Sequence, residues 1–590
     1  MALCPVPDVH PLVRWPLQAA FRDVLRATAI VMTSPNLRIR AAASRCLLFA
    51  AIPLATILVA SNADAGAILV GKTPGVCTKY TLQSAIDHAN TLDGYNVIIV
   101  TDDAPSGEYR ENVHVGNLKP GLRLEIRGGY RSCTEPVRSG RYTRIRGAST
   151  TAPVIHLGGD AADVSITGLH LSGGSQGLEL DGPATVSLYG SEESGMLVVD
   201  NRADGVRMHY SGGGNASVRS RLNLSGSVGI HSNEGSGINA YDKALLKISG
   251  STSITENGGH GIEIHSPAEA EIRGGGPVTA LNGGYGLWIE ATFPFSGFRR
   301  TLIDSPDPDR PLEISSNTRG AIFIRAPSSD VGYGVDVGGV SIRHNQGRPI
   351  HLEGSGASLE MHGRYCGGGR LPDRKCGSLS ENSSASNAPL VAAIDGGRIV
   401  LDRLWIADNI ASSILSTNLG TGAAASAITL TDSVVAANSV RDDLFESLNQ
   451  GIVDVWNSTV LRNVGGFGFS FVGIDAALLQ ATNSIIDQPQ VLATVEGTAS
   501  TTHFNRVLAA NRIGASADDD ILVAQPRYSD AFARLSAASP GVDYAPPAGG
   551  VDLDGYPRDV DQATIPNVHG PRDLGAYEAV LELVFHSGFE

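Results

Sequence analysis

Asn233-Glu-Gly-Ser-Gly237-Ile-Asn-Ala-Tyr241, Asn257-Gly-Gly-His-Gly261-Ile-Glu-Ile-His265 and Asn282-Gly-Gly-Tyr-Gly286-Leu-Trp-Ile-Glu290 are three versions of one phrase. In each, an asparagine is followed four residues later by a glycine, and the glycine by a run that alternates apolar and polar side chains. The asparagines are 24 and 25 residues apart. A fixed period in this range marks a stacked-repeat architecture. Two-residue alternation makes each run a strand with one buried face. Ile238, Ile262, Ile264, Leu287 and Ile289 are therefore expected to point inward.

The phrase extends in both directions. Asn201 and Gly205 precede Val206-Arg207-Met208-His209 upstream. Downstream, Asn409, Asn438 and Asn463 each close a strand pair, at steps of 29 and 25, and Asn317 and Asn345 fall between the two blocks. Asparagine tolerates left-handed backbone, and its amide bonds local backbone groups. Asparagines at matching turns of successive coils are expected to stack into a hydrogen-bonded ladder. The fold class that follows is all-β: a right-handed parallel β-helix with coils of about 22 to 30 residues. The 70 glycines in 590 residues and the 6% aromatic content suit tight turns around a narrow aliphatic core. The repeat predicts one solenoid over 97–490, roughly fifteen coils and ~70 Å long at the usual strand spacing.

The N-terminal 65 residues read as a presequence. Met32 starts the better reading, with Arg38, Arg40 and Arg45 ahead of an apolar run from Cys46 to Ala60 and an Ala63-Asp64-Ala65 cleavage site. This predicts export through a signal peptide cleaved after Ala65, an uncleaved N-terminal anchor being the alternative. No later stretch is apolar enough to span a bilayer. The chain carries −15; its first 65 residues hold six Arg and three Asp, so the mature part carries −18. An acidic surface of this size argues against a nucleic-acid partner. Four cysteines remain after cleavage, and an even count in an exported chain favours disulfides. Four cysteines allow three connectivities. The pairing expected is Cys77 with Cys133, joining the N-terminal region to the first coils, and Cys366 with Cys376, closing a loop that interrupts the repeat. Cysteines with nine residues between them and no nearby histidine make a poor zinc site, and no metal or cofactor is expected.

Tyr80 to Asn90 has helical spacing, with Leu82, Ala85, Ile86 and Ala89 on one face, and a helix here would cover the open end of the core within a cap at 66–96. Strands are expected at 97–100, 108–116 and 122–130. Thr81-Leu-Gln-Ser-Ala-Ile-Asp87, Gly107-Glu-Tyr-Arg-Glu-Asn-Val113 and Leu124-Glu-Ile-Arg-Gly-Gly-Tyr130 resemble the opening of bacterial secreted β-helix repeat proteins, and more distantly that of pectin methylesterases. Near the other end, Leu535-Ser-Ala-Ala-Ser-Pro-Gly-Val-Asp543, Asp552-Leu-Asp-Gly-Tyr-Pro-Arg558 and Asp573-Leu-Gly-Ala-Tyr-Glu578 appear in succession. This series resembles the choice-of-anchor Q domain that ends many bacterial β-helix proteins. The resemblance implies a C-terminal domain at 491–580 and a secreted or cell-surface protein; it names no substrate. The tail at 581–590 resembles short C-terminal tails of secreted bacterial proteins, which implies anchoring or export machinery that reads the C-terminus.

No catalytic site stands out. Gly259-His260-Gly261 matches a fragment of the polygalacturonase signature, but the other parts of that signature are missing. His260 also fills the slot that Tyr285 fills one coil later, as a turn residue would. Asp552, Asp554, Asp559 and Asp561 lack the closing glutamate of a calcium loop and read as a turn. One surface pattern survives. With the coils aligned on Gly237, Gly261 and Gly286, outward residues form two columns: Asn239, Glu263 and Trp288, and beside them Tyr241, His265 and Glu290; Trp288, between inward Leu287 and Ile289, is expected to be substantially exposed. Rings beside carboxylates suit sugar contact, and paired carboxylates such as Glu263 and Glu290 suit acid–base hydrolysis. An ordinary solvated sheet face is the other reading. The functions consistent with the sequence are a structural or interaction rod, adhesive or glycan-binding, with a polysaccharide or cell-surface ligand. The alternative is a polysaccharide lyase or glycoside hydrolase with an unfamiliar site.

Overall fold

The computed structural model describes residues 67–579, apart from short segments at 105–106, 160–162, 192–194, 211–218, 292–298, 308–309, 330–331, 365–376, 385–387, 419–423, 466–470, 489–492, 497–499 and 512–518. The presequence, Cys366, Cys376 and the tail at 581–590 lie outside the described residues.

The chain is a parallel β-solenoid. A repeating coil contributes three strands, illustrated by Ile238–Ala240, Ala244–Gly250 and Ser253–Thr255. Each pairs in parallel with its counterpart one coil on: Ile238 faces Ile262, Leu246 faces Ala270, and Ile254 faces Thr279. The parallel ladders begin at Ile68–Val70 and reach Asp520–Val523, so they extend beyond 97–490 at both ends. Alternation decides which residues enter the core: Ile238, Ile262, Ile264, Leu287 and Ile289 are each no more than 1% exposed. The core is mainly aliphatic, as the composition suggests. In the last coils it changes to an edge-on phenylalanine stack, Phe445 on Phe471 at 5.2 Å and Phe471 on Phe504 at 5.6 Å.

The asparagine ladder runs through Asn201, Asn233, Asn257, Asn282, Asn317, Asn345, Asn382, Asn409, Asn438 and Asn463, all buried. Each rung repeats one geometry. Asn257 Oδ1 accepts the Asn233 backbone N–H at 3.2 Å and its Nδ2–H at 2.9 Å. The last rung differs, because the Asn463 N–H donates to Gln488 Oε1 at 3.1 Å. Asn382 and Gln488 are further rungs that sequence reasoning did not mark. The left-handed conformation expected of the asparagines belongs instead to the residue before each: Ser232 (φ 57°), Glu256 (57°), Leu281 (57°) and Ser316 (55°), for example. The asparagine is there for its amide. The glycine four residues after it is there for space. A Cβ on Gly237 would sit 2.7 Å from Gly261 O and 2.8 Å from Asn257 Nδ2.

At the N-terminal end, a helix spans Leu82–Ala89 behind an N-cap at Thr81, whose side chain accepts the Ser84 N–H. Its apolar face, Leu82, Ala85, Ile86 and Ala89, is buried as the spacing predicts. Two backbone N–H groups of its first turn, those of Leu82 and Gln83, donate to the Glu111 carboxylate. Cys77 and Cys133 form a disulfide.

The segment after the last parallel strand packs on the coils. Leu535, Val542, Tyr544 and Leu574 share an apolar cluster with Ile485 and Leu508. Ala533, Ala576 and Tyr577 share another with Val434 and Leu461. The aspartates of the motif series serve as internal acceptors. Asp552 takes the backbone N–H groups of Asp554, Tyr556 and Glu578. Buried Arg558 joins the segment to the solenoid, donating to Gly575 O at 2.8 Å and pairing with Asp432.

Candidate functional site

The site lies on the outward side of the sheet of which Ile238–Ala240 is a strand, where pleating sends every second side chain away from the core. Register places Asn239, Glu263 and Trp288 on successive rungs, followed by Phe323 and His351. His265 faces Glu290 in the second column, and Tyr241 stacks on His265 at 4.4 Å between ring centroids, with the planes 8° apart.

A third column comes from the turns. The residue just before the phrase's glycine is Asp204, Ser236, His260 and Tyr285 in successive coils, and each meets the first-column residue one coil on: Asn239, Glu263, Trp288 and Phe323. His260 stacks on Trp288 at 5.2 Å and lies 6.0 Å from Tyr285. Trp288 stacks on Phe323 at 5.9 Å, and Phe323 on His351 at 5.3 Å. A ladder of rings thus runs from coil to coil, with His265 meeting Trp288 edge-on at 5.3 Å.

Two expectations about exposure need correction. Asn239 is only 5% exposed. Its strand position is outward, but Asp204 and Tyr241 close over it, and its amide donates to both, to Asp204 Oδ2 at 3.2 Å and Tyr241 Oη at 2.7 Å. Trp288, expected to be substantially exposed, is half-buried. The alternation is right, since Leu287 and Ile289 are buried on either side. The flanking rings of His260 and Phe323 cover the two faces of the indole. Tyr241, Glu263, His265 and Glu290 are also half-buried.

Polar contacts link the columns. Glu263 Oε2 accepts the Ser236 hydroxyl at 2.6 Å, and Glu263 Oε1 lies 2.9 Å from His265 Nε2. His265 Nδ1 is 4.0 Å from Glu290, which Arg325 approaches at 3.8 Å. Asp204 Oδ1 accepts the Ser236 backbone N–H at 2.9 Å. Arg207 lies over the Tyr241 ring at 5.5 Å. His260 Nδ1 accepts the Tyr285 N–H at 3.0 Å, which fixes the tautomer with the proton on Nε2.

The two carboxylates nearest Ser236 are driven apart. Burial pushes the Asp204 carboxyl above its ordinary range, and the neighbouring Glu263 charge adds to this against the Ser236 and Asn239 donors. Burial also acts upward on Glu263. There the hydrogen bonds from His265 and Ser236 and the nearby imidazoles outweigh it, and the carboxyl is held low. Burial lowers His260 as well. Divergent carboxyls side by side are the arrangement in which one group holds a proton while the other is charged.

Sequence reasoning passed over Asp204, Ser236, His260, Phe323 and Arg207 as members of this face. The signal for the first three was in the repeat: the slot before the glycine, dismissed as a turn at His260, forms a column of its own. Among the described residues, the side chains that come together as potential metal ligands are Cys77, Asp103 and Cys133. The two sulfurs there are joined in the disulfide, so that group offers no thiolates. No helix among the described residues is long and apolar enough to cross a membrane. No protein-family model matches this sequence, and no curated protein matches it either.

Proposed function

We propose that the protein is an exported, cell-surface β-helix of the right-handed kind that acts as an interaction rod and binds an extended polysaccharide along its ring ladder. The observation that carries this reading is the run of stacked rings His260–Trp288–Phe323–His351 on successive coils, bordered by Glu263 and Glu290. The rings cover one another's faces and leave edges outward, so sugar C–H groups pack against ring edges while the carboxylates accept sugar hydroxyl hydrogens. One coil advances about 4.8 Å, so a polymer laid along the solenoid axis meets a new ring and a new polar group at each coil. In this reading the helix at 82–89 shields the end of the core, and the segment at 491–580 serves as the anchor-type module that its motifs resemble.

Retention on immobilised plant and bacterial polysaccharides tests the binding. Specific retention that Trp288→Ala weakens is expected; equal retention of both proteins on every polymer would exclude the ring ladder as the site. Surface display is tested by fractionating cells that express the chain with and without residues 580–590. Loss of surface material in the truncated form is the expected result.

A further inference from the structure

We infer that the same face also cleaves the polysaccharide it binds, by hydrolysis of a glycosidic bond, with Asp204 as proton donor and Glu263 as the base that activates water. The inference rests on the binding reading above, and its observations are separate from the ring ladder. Two carboxylates from different coils are joined by one serine, whose N–H donates to Asp204 and whose hydroxyl donates to Glu263. Both are half-buried. Beside them, the amide oxygen of buried Asn239 has no hydrogen-bond partner. A buried acceptor without a donor is costly. A sugar hydroxyl supplies that donor when Tyr241, which closes over Asn239, moves aside for the polymer.

The step balances with water as the only co-reactant. The Asp204 proton passes to the glycosidic oxygen as the bond from that oxygen to the anomeric carbon breaks. Water adds its oxygen to the anomeric carbon, and Glu263 takes the water proton. The products are two shorter chains, one with a new reducing end. Proton exchange with solvent returns Asp204 to its acid form and Glu263 to its carboxylate. His265 and Ser236 are positioning residues: their hydrogen bonds to Glu263 keep it charged. The outward edges of the Tyr241 and Trp288 rings border the sugars on either side.

The test uses the mature chain with soluble xylan, galactomannan, laminarin and homogalacturonan, measuring binding by affinity electrophoresis and cleavage by reducing-end release. Wild type should bind at least one polymer and release reducing ends from it without forming unsaturated uronate. Asp204→Asn and Glu263→Gln should each lose about a hundredfold or more in rate while melting as wild type does; Asp204→Asn should still bind that polymer, and Glu263→Gln should bind it more weakly but lose far more in rate than in affinity. The wild-type pH profile should be bell-shaped, with its acid limb below the usual carboxylate range and its alkaline limb above it. Ser236→Ala should move the acid limb upward, which a merely structural serine would not do. Binding without cleavage, an unsaturated product, or variants as fast as wild type would each overturn the hydrolytic inference and leave the binding reading in place. A wild-type chain that neither binds nor cleaves any of the four would overturn both.

Discussion

Asn282 Oδ1 accepts two hydrogen bonds from Asn257, one from the backbone N–H at 3.1 Å and one from the amide Nδ2 at 3.0 Å. Asn282 in turn donates its backbone N–H and its Nδ2–H to Asn317 Oδ1, at 3.2 and 2.9 Å, and Nδ2 also reaches Ile254 O at 3.2 Å. Removing the Asn282 side chain leaves the Asn257 backbone N–H and one of its Nδ2–H groups without their acceptor, and takes one of two donors from Asn317 Oδ1, which keeps the backbone N–H of residue 282. Asn282→Ala is expected to cost roughly 2–4 kcal/mol, since each stranded buried group costs about 1–3. Because neighbouring rungs share partners, Asn282→Ala and Asn317→Ala together should cost less than the sum of the two. Denaturant unfolding of the two single variants and the double variant measures this. Strict additivity would show that the rungs act independently.

Leu281, just before that asparagine, has φ 57° and is 56% exposed. A leucine in left-handed backbone carries a penalty of roughly 1–2 kcal/mol, and this one recovers little of it through burial. Leu281→Asn should therefore stabilise the coil by about 1 kcal/mol, seen as a higher Tm. An unchanged or lower Tm would mean that the exposed leucine makes a contribution its position does not suggest.

These two positions show what was legible in the chain and what was not. The asparagine period, the inward positions Ile238 to Ile289 and the register of both outward columns could be read directly, because a strict repeat turns sequence spacing into spatial adjacency. The helix face at Leu82 to Ala89 was legible for the same reason, through a different period. Which residue of each turn is left-handed was not legible, since an aspartate, a serine, a glutamate and a leucine all occupy that place and only the ladder's hydrogen bonds demand it. The burial of Asn239 was hidden too. It depends on Asp204, which reaches across from the preceding coil's turn, and two-residue alternation says nothing about what turns cover.

His351 is 3% exposed, stacked on Phe323, with Arg348 Nη1 3.3 Å from its Nδ1. Burial, aided by the Arg348 charge, lowers its pKa from 6.5 to about 4. The unfolded chain therefore binds this proton more readily than the folded one. The stability it contributes is complete above pH 6.5 and is lost as pH falls to about 4, a change of about 3 kcal/mol at 1.36 kcal/mol per unit. His351→Phe should melt close to wild type at pH 7.5 and above it at pH 4.5. Parallel loss of Tm in both proteins on acidification would assign the acid sensitivity elsewhere.

Arg558 is 4% exposed and ties the C-terminal segment to the coils through Asp432. Burial pushes the Asp432 carboxyl up, and the guanidinium pulls it back. Truncating one partner leaves the other buried and unpaired, which typically costs about 3–5 kcal/mol. Arg558→Ala should lose stability on that scale, and limited proteolysis should cut first within 524–579. Asp432→Asn in the same chain should recover part of the loss. No recovery would mean that the Arg558 bond to Gly575 O, and not the ion pair, holds the segment.

Trp288 decides between core and binding surface. A fully buried tryptophan costs about 3–5 kcal/mol when cut to alanine, and a ring that only adds a stacked aromatic contact contributes about 0.5–1.5 kcal/mol. Trp288 is neither. Its strand neighbours Leu287 and Ile289 enter the core, while its own ring stands between His260 and Phe323 with its edge toward solvent. Trp288→Ala should then lower stability by about 2 kcal/mol, between those limits. It should also weaken polysaccharide binding by about tenfold, the loss of one ring-edge contact of roughly 1.4 kcal/mol. Trp288→Phe should restore most of the stability, because a smaller ring still fills the stack, and part of the affinity. The pairing of the two readouts is what matters. If binding falls only in step with the fraction unfolded, the indole is packing and the ring ladder is an internal device of the solenoid wall. If affinity falls in a chain that remains fully folded at the assay temperature, the ladder is where the polymer lies.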